Sequence, residues 1–157
     1  MKKNDPRLGR PVEILLVEDS PSDADLSVEA FGSSKVATHL NIVTDGEQAM
    51  KFLRKKEPYA KAPRPDLILL DLNLPRKDGR EVLAEIKTDV MLRTIPVIVM
   101  TTSPADRDVW KAYDLHANCY IIKPLDFRQF VELIKGIEAF WLTLARLPPH
   151  EAKLTVS

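Results

Sequence analysis

The stretch Leu67–Pro75, with the sequence LILLDLNLP, decides how the rest of the chain is interpreted. Its four leading aliphatic residues are too few for a helix and leave no polar face, which predicts a strand buried on both sides of a parallel sheet. Asp71 follows directly where this strand ends. Because open parallel α/β sheets bind ligands beyond the carboxyl ends of their strands, we expect Asp71 at the functional edge of the sheet.

The composition indicates a single globular domain without a strong overall charge. The chain has 157 residues, of which 45% are hydrophobic, and its 23 basic and 23 acidic side chains cancel. This balance gives no reason to expect a nucleic-acid or membrane partner. No apolar run approaches the ~20 residues of a membrane-spanning helix, and the N-terminus lacks the apolar core of a signal peptide. One cysteine, Cys119, excludes an intrachain disulfide and suits a reducing compartment, so we expect a cytoplasmic protein.

Strands and helices alternate along the whole chain. The predicted strands cover residues 13–17, 38–43, 67–70, 95–100 and 119–122. A helix follows each strand. The first is expected to begin with a Ser cap and early acidic residues such as Asp23, to face the core with Ala24, Val28 and Phe31, and to end at Gly32. The second is expected over residues 47–56, and the last to continue through an aromatic segment to about residue 148. This alternation predicts an α/β fold, a flavodoxin-like doubly wound (βα)5 domain with a parallel sheet of order 2-1-3-4-5. We expect the domain to cover residues 12–147, with flexible tails at 1–11 and 148–157.

Polar side chains follow four of the predicted strands at the same edge of the sheet. They are Glu18 and Asp19, Asp71, Thr101, and Lys123. Three convergent carboxylates repel one another, so we expect a cation among them, and an all-oxygen donor set favours a hard ion such as Mg²⁺. Beside an ammonium group and a hydroxyl, Asp71 is placed to accept a phosphoryl group as an aspartyl phosphate. The alternative, that these are only polar strand ends, fits any one of the residues but not all five at one edge.

These residues resemble the motifs of the response-regulator receiver domain, the phosphoacceptor partner of a histidine kinase. The resemblance spans about residues 12–137 and is carried by Glu18–Asp19, Asp71–Pro75, Asp78–Gly79, Thr101, Tyr120 and Lys123–Pro124. It implies that Asp71 is phosphorylated and that Lys123 contacts the phosphoryl oxygens. It implies Mg²⁺ ligands at Asp19, Asp71 and the Asn73 backbone carbonyl, with Glu18 acting through water. Thr101, Thr102 and Tyr120 would be phosphate-binding and switch residues, and the Lys123–Pro124 bond would be cis.

A narrower resemblance connects the chain with stand-alone receivers that are paired with cyanobacterial and bacterial phytochromes. The opening Glu18–Asp23, the long loop before the third strand and the aromatic end of the last helix support it. It implies a phytochrome-type sensor histidine kinase as partner, and a homodimer through the face of the fourth helix, fifth strand and fifth helix. The candidate interface residues are Trp110, Tyr113, Phe127, Phe140 and Trp141. Packing of these aromatics beneath the extended last helix is the alternative.

Two other functions stay open. A metal-dependent phosphohydrolase is disfavoured because Asn73 stands where aspartate-based phosphatases carry a second Asp, and because the sequence leaves no room for a cap domain. A phosphorylation-independent scaffold is the other alternative, and an intact site without phosphate uptake would support it. We expect no enzymatic activity beyond self-phosphorylation and self-dephosphorylation at Asp71, and no output domain after the last helix.

His116 stands where receiver domains commonly carry a helix-ending glycine. We expect its backbone to adopt that left-handed turn at some cost in stability. A pH-sensing role for this histidine is the alternative. The basic segment at residues 51–64 is interpreted as a solvated helix end and loop.

Overall fold

Five parallel strands form one sheet in the computed structural model of the chain, which describes residues 2–4 and 8–150. The strands are β1 (Val12–Val17), β2 (Thr38–Val43), β3 (Leu67–Leu70), β4 (Val97–Thr101) and β5 (Cys119–Ile122). Their order is β2-β1-β3-β4-β5, so the predicted doubly wound topology is confirmed. Each link between neighbouring parallel strands needs a crossover, and helices supply them.

The five helices divide between the two faces of the sheet. They are α1 (Pro21–Gly32), α2 (Gly46–Leu53), α3 (Gly79–Thr88), α4 (Asp106–Asp114) and α5 (Phe127–Ile137). Helices α2, α3 and α4 pack on one face, and α1 and α5 pack on the other. Residues of β3 are buried towards both layers, which explains its uninterrupted aliphatic sequence.

The last helix extends beyond α5, as the sequence predicts. A π-helical segment, Glu138–Leu144, continues it without a break in the helical backbone. Leu142 of this segment is buried in the same core as Phe130 and Ile134. The extension is therefore packed against the domain at one side. None of the helices within the described residues is long and apolar enough to cross a membrane.

Helix ends differ from the predicted bounds at two places. Gly32 lies inside α1, whose capping residue is Ser33. Helix α2 ends at Leu53, earlier than predicted, because Lys55 adopts a left-handed backbone with φ 53° and the N–H of Lys56 bonds the carbonyl of Lys51. This hydrogen bond is the Schellman pattern that closes a helix.

Two local backbone predictions have opposite outcomes. His116 adopts φ 69°, so the predicted left-handed turn after α4 is confirmed. The predicted cis bond at Lys123–Pro124 is wrong, since the cis peptide bond that the described residues contain is Glu57–Pro58.

Parts of the segments predicted as tails make contacts with the domain. Lys3 pairs with Val36 beside the start of β2, and its N–H donates to the carbonyl of Lys35 at 3.3 Å. Arg10 and His150 both contact Asp66, the residue before β3. The rest of both predicted tails, residues 1, 5–7 and 151–157, lies outside the described residues, and the domain bounds remain a prediction.

Candidate functional site at the carboxyl edge of the sheet

The register of the sheet places the residues that follow the strands next to one another at its carboxyl edge. Val17 of β1 is paired with Leu70 of β3, so Glu18 and Asp71 leave the sheet side by side. The backbone ladder continues through both, because the N–H of Asp71 donates to the carbonyl of Val17 at 3.1 Å. Thr101 of β4 is paired with Ile122 of β5, which brings Lys123 to the same edge. The site is therefore fixed by backbone pairing of the central strands β1, β3 and β4 with the edge strand β5.

Lys123 is the centre of charge of the site. Its ammonium Nζ donates to Glu18 Oε1 at 2.5 Å, to Asp23 Oδ2 at 2.9 Å and to Asp71 Oδ2 at 3.0 Å. Burial lowers the pKa of Lys123, but the hydrogen bonds to Glu18 and Asp23 and the charge of Asp71 outweigh this effect and raise the pKa above its ordinary value. The lysine therefore stays charged at all physiological pH values.

The acidic cluster has the make-up of a divalent-cation site. Carboxylate oxygens of Glu18, Asp19 and Asp71 all lie within 4.8 Å of one another. Burial, with a smaller effect from the charge of Asp71, raises the pKa of Glu18 to about 7, although the hydrogen bond from Lys123 opposes the rise. Since one ammonium group faces several carboxylates, the site carries an excess of negative charge that a hard cation would neutralise.

The remaining predicted residues surround Asp71. The backbone N–H of Asn73 donates to Asp71 Oδ1 at 3.0 Å, and its side-chain amide lies 3.5 Å from the hydroxyl of Thr101. Thr101 is fully buried, whereas Thr102 beside it is exposed. Tyr120 is half-buried, and its hydroxyl donates to the carbonyl of Ser103 at 2.8 Å. Tyr120 therefore contacts the loop after β4 and not Asp71 itself.

The segment after Asp71 folds back tightly on itself. The N–H of Gly79 donates to the carbonyl of Leu72 at 3.0 Å. A Cβ at Gly79 would lie 2.3 Å from the carbonyl oxygen of Asp71 and 2.5 Å from Cα of Leu72. Only glycine permits this approach, so Gly79 holds the backbone of Asp71 and Leu72 in place.

Sequence reasoning missed Asp23 as a member of the site. It was interpreted only as an early acidic residue that stabilises the start of α1, and it does lie in the first turn of that helix. Its position in the first turn of the helix that follows β1, close to the functional edge of the sheet, is the signal that could have indicated a contact with Lys123. It also missed the contacts of Arg80 and Asp108 near the loop after β4, which no strand-end pattern indicates.

A family model for the response regulator receiver domain matches residues 14–135. The chain belongs to the response regulator receiver family. The response regulator Rcp1 of Synechocystis sp. is 50% identical to this receiver over 138 residues, which cover 88% of this chain and 94% of that protein. The family predicted from the strand-end motifs is therefore confirmed, together with the relation to phytochrome-associated response regulators.

Two solved structures are close to this receiver in fold. The crystal structure of the Mn²⁺-bound form of Rcp1 matches with a TM-score of 0.86 and 50% identity, over 88% of this chain and 100% of that chain. The phosphorylated cyanobacterial phytochrome response regulator RcpA matches with a TM-score of 0.86 and 52% identity, over 88% of this chain and 99% of that chain. The two structures are a metal-bound state of Rcp1 and a phosphorylated state of RcpA.

Proposed function

We propose that this receiver accepts a phosphoryl group on Asp71 from a sensor histidine kinase and passes the signal on through its surface. The observation that carries the proposal is the buried carboxylate of Asp71, which lies among an ammonium group, two acidic residues and a backbone N–H. In the transfer, a carboxylate oxygen of Asp71 attacks phosphorus while the P–N bond to the kinase histidine breaks. The bonding electron pair leaves with the imidazole, and an acyl phosphate results.

We assign a divalent cation, taken as Mg²⁺, to Glu18, Asp19, Asp71 and the backbone carbonyl of Asn73. The all-oxygen donor set and the excess of carboxylates over the Lys123 ammonium support this assignment. When bound, such an ion would neutralise charge on the phosphoryl oxygens. Glu18 has a buried carboxylate and Asp19 an exposed one, which fits an ion that is held by the protein on one side and by solvent on the other.

The residues around Asp71 would act on the phosphoryl group by charge and hydrogen bonding. Lys123 already touches Asp71 Oδ2, and exchanging a carboxylate partner for a phosphoryl oxygen would keep its charge paired. The Thr101 hydroxyl would donate to another phosphoryl oxygen, with Thr102 following in the same loop. Tyr120 would respond because its hydroxyl is bonded to Ser103, in the loop that directly follows Thr101.

We propose a phytochrome-type histidine kinase in the cytoplasm as the phosphoryl donor. The names of the related proteins support this partner class, since RcpA is a phytochrome response regulator and a bacteriophytochrome response regulator is 39% identical to this chain. Phosphotransfer from a purified phytochrome kinase, compared with transfer from an unrelated histidine kinase, tests the assignment. Faster transfer from the unrelated kinase would overturn it.

We also propose that the receiver forms a homodimer through the face of α4, β5 and α5. Strand β5 is an edge strand, and Trp110 and Tyr113 of α4 and Phe140 of the α5 extension are exposed. Phe127 is exposed as well, but it lines a groove with Leu26 and Ala30 of α1. A shallow apolar groove of about 410 Å³ lies beside β5, bounded by Leu133, Phe140 and Trp141 among others. A second copy would cover these aromatic groups without exposing charge. Neither nucleic acid nor a membrane is required as a partner.

Intact-mass measurement after incubation with acetyl phosphate and Mg²⁺ tests the phosphotransfer. We expect one phosphoryl group on the wild type, none on Asp71→Asn, and none on the wild type when EDTA replaces Mg²⁺. No uptake by the folded wild type would overturn the proposal and favour the phosphorylation-independent scaffold. Continuous turnover of small phosphate esters, at rates that Asp71→Asn does not abolish, would favour a hydrolase.

A further inference from the structure

The loop between β4 and α4 is held from three sides at one residue, Ser103. Its side-chain hydroxyl donates to Asp108 Oδ2 at 2.5 Å. Its backbone carbonyl accepts the hydroxyl proton of Tyr120 at 2.8 Å. Its hydroxyl also lies 3.4 Å from the N–H of Ala105, which precedes α4. The loop that begins at Thr101 is thus anchored two residues beyond the site.

Arg80 on α3 extends this anchor across to a second helix. Its guanidinium donates to Asp108 Oδ1 at 2.9 Å with one nitrogen, and its other terminal nitrogen lies 3.2 Å from Asp78 Oδ1. Asp78 is the capping residue of α3. The first turns of α3 and α4 are therefore joined by a chain of contacts that runs from Asp78 through Arg80 and Asp108 to Ser103.

The charges of Arg80 and Asp108 favour a firm contact between these two side chains. Hydrogen bonds from Ser103 and Arg80 lower the pKa of Asp108, so its carboxylate is ionised at neutral pH. Burial lowers the pKa of Arg80, but the contacts with Asp108 and Asp78 outweigh it and raise the pKa. Burial raises the pKa of Tyr120, which keeps its phenol protonated as a donor. The Arg80–Asp108 ion pair is only partly exposed, so it holds the two side chains in position more firmly than a fully solvated ion pair would.

We propose that Arg80 and Asp108 are positioning residues that hold the β4–α4 loop in its resting conformation, and so oppose its movement towards a phosphoryl group on Asp71. This inference rests on the proposed function. Thr101, the last residue of β4, is fully buried, and its hydroxyl lies 3.5 Å from the Asn73 amide. In this proposal the hydroxyl turns towards a phosphoryl oxygen as the loop that follows Thr101 shifts. A shift of the loop displaces Ser103, and Ser103 is tied to Asp108 and Arg80. Breaking the tie lowers the cost of the shift.

Binding of beryllofluoride with Mg²⁺, an aspartyl-phosphate mimic, measures this cost without a chemical step. The binding is followed by tryptophan fluorescence, because Trp110 is on α4, five residues beyond Ala105. We expect Arg80→Gln and Asp108→Asn each to bind the mimic about fivefold more tightly than the wild type. A factor of about five in the binding constant corresponds to the loss of one weak ion pair. The double variant should bind no more tightly than Asp108→Asn alone, since both substitutions remove the Arg80–Asp108 contact.

Arg54→Gln is the matched control, because Arg54 faces Glu85 and Asp89 at the far end of α3. We expect its affinity for the mimic to equal that of the wild type, and Arg80→Lys to restore most of the wild-type value. Unchanged or weaker binding by both Arg80→Gln and Asp108→Asn, in a wild type that binds the mimic and takes up phosphate, would overturn the positioning role alone. A wild type that neither binds the mimic nor takes up phosphate would overturn the proposed function itself.

Discussion

At the scale of single residues, Gly79 controls the backbone that carries the phosphoacceptor. A methyl group there would meet backbone atoms of Asp71 and Leu72 at 2.5 Å or less, and backbone cannot move aside as a flexible side chain can. We expect Gly79→Ala to lower the free energy of unfolding by about 2 kcal/mol and to slow phosphate uptake from acetyl phosphate. Urea denaturation and intact-mass time courses measure the two effects.

Gly32→Ala is the control for this substitution. Gly32 lies within α1 with open space where a Cβ would be, so alanine should be neutral or stabilise the helix by up to about 1 kcal/mol. Equal stability of the Gly79 and Gly32 variants would contradict the tight approach at Gly79.

At His116, in contrast to Gly79, a substitution is expected to stabilise the protein. Helix α4 ends in a Schellman motif, in which the N–H of His116 bonds the carbonyl of Tyr113 and the N–H of Ala117 bonds that of Ala112. The left-handed backbone at φ 69° disfavours a side chain, so His116→Gly should raise the free energy of unfolding by about 1 kcal/mol.

The same variant separates the two interpretations of His116. A backbone effect is independent of pH, so the gain should be equal at pH 6 and pH 8 in parallel urea titrations. A gain at only one of these pH values would support the pH-sensing alternative. Lys55 has the corresponding left-handed backbone after α2, so Lys55→Gly should also raise the free energy of unfolding, equally at both pH values.

Residues that directly follow a buried strand were the ones that sequence reasoning could bring together. Glu18, Asp71 and Lys123 each follow an apolar run, and parallel pairing gives them a common edge. Asp23, Arg80 and Asp108 lie on helices, where contact depends on the rotation of the helix and on long side chains. Neither quantity can be obtained from spacing along the chain, so those contacts required the structure.

At the scale of elements, the exposed aromatics of α5 and its extension carry the dimer proposal. Phe140 is 52% exposed and lines the groove beside β5, whereas Phe127 is 57% exposed and lines a groove with α1. We expect Phe140→Ala to weaken the dimer by tenfold or more, because buried aromatic anchors dominate interface energy, and Phe127→Ala to weaken it less. Sedimentation velocity over a range of concentrations measures the dissociation constant.

Val28→Ala is the matched control for the dimer. Val28 is 48% exposed but belongs to α1, outside the proposed interface. Its dissociation constant should equal that of the wild type. A wild type that remains monomeric with and without phosphate at high concentration would contradict the interface.

Helix α1 shows where element-level prediction reaches its limit. The periodicity pointed to Ala24, Val28 and Phe31 as its inner face, but Val28 is exposed and Ser27 is buried instead. The hydroxyl of Ser27 donates to the carbonyl of Asp23 at 2.9 Å, which satisfies the polar group inside the protein. The hydrophobic pattern predicts the helix α1 itself, but it cannot predict that Ser27 is buried in place of Val28.

At the scale of the whole molecule, Asp66 joins both ends of the described chain to the sheet edge opposite the phosphorylation site. Arg10 bonds both carboxylate oxygens at 2.7 and 2.8 Å, and His150 Nε2 lies 2.6 Å from Oδ1. The backbone N–H of Glu13 donates to the same side chain at 2.8 Å. We expect Asp66→Asn to lower the free energy of unfolding by about 2 kcal/mol at pH 7 while leaving phosphate uptake unchanged.

The stability that the Asp66 carboxylate contributes should disappear in acid. Burial raises the pKa of Asp66, but the hydrogen bonds from Arg10 and the Glu13 N–H outweigh it and lower the pKa below its usual value. A carboxyl with a lowered folded-state pKa adds stability above its unfolded pKa of about 3.9, and loses it as the pH falls through the folded value. The stability difference between wild type and Asp66→Asn should therefore shrink below about pH 4. A difference that grows in acid would contradict this account.

The overall topology was predictable because few arrangements satisfy five apolar strands linked by helices. Short right-handed crossovers leave the observed order, with β1 and β3 adjacent at the centre. The Asp66 contacts were not predicted, because Arg10 and His150 are far from it in sequence and stand in segments without periodicity.

Chemical mapping of the phosphorylated residue tests the central claim most directly. The protein is incubated with acetyl phosphate and Mg²⁺, reduced with borohydride, which converts an aspartyl phosphate to homoserine, and then digested and sequenced by mass spectrometry. We predict homoserine at position 71, and its loss when Mg²⁺ is removed with EDTA. Homoserine at position 19 or 23, or no conversion in a folded protein, would contradict the assignment of Asp71 as the phosphoacceptor.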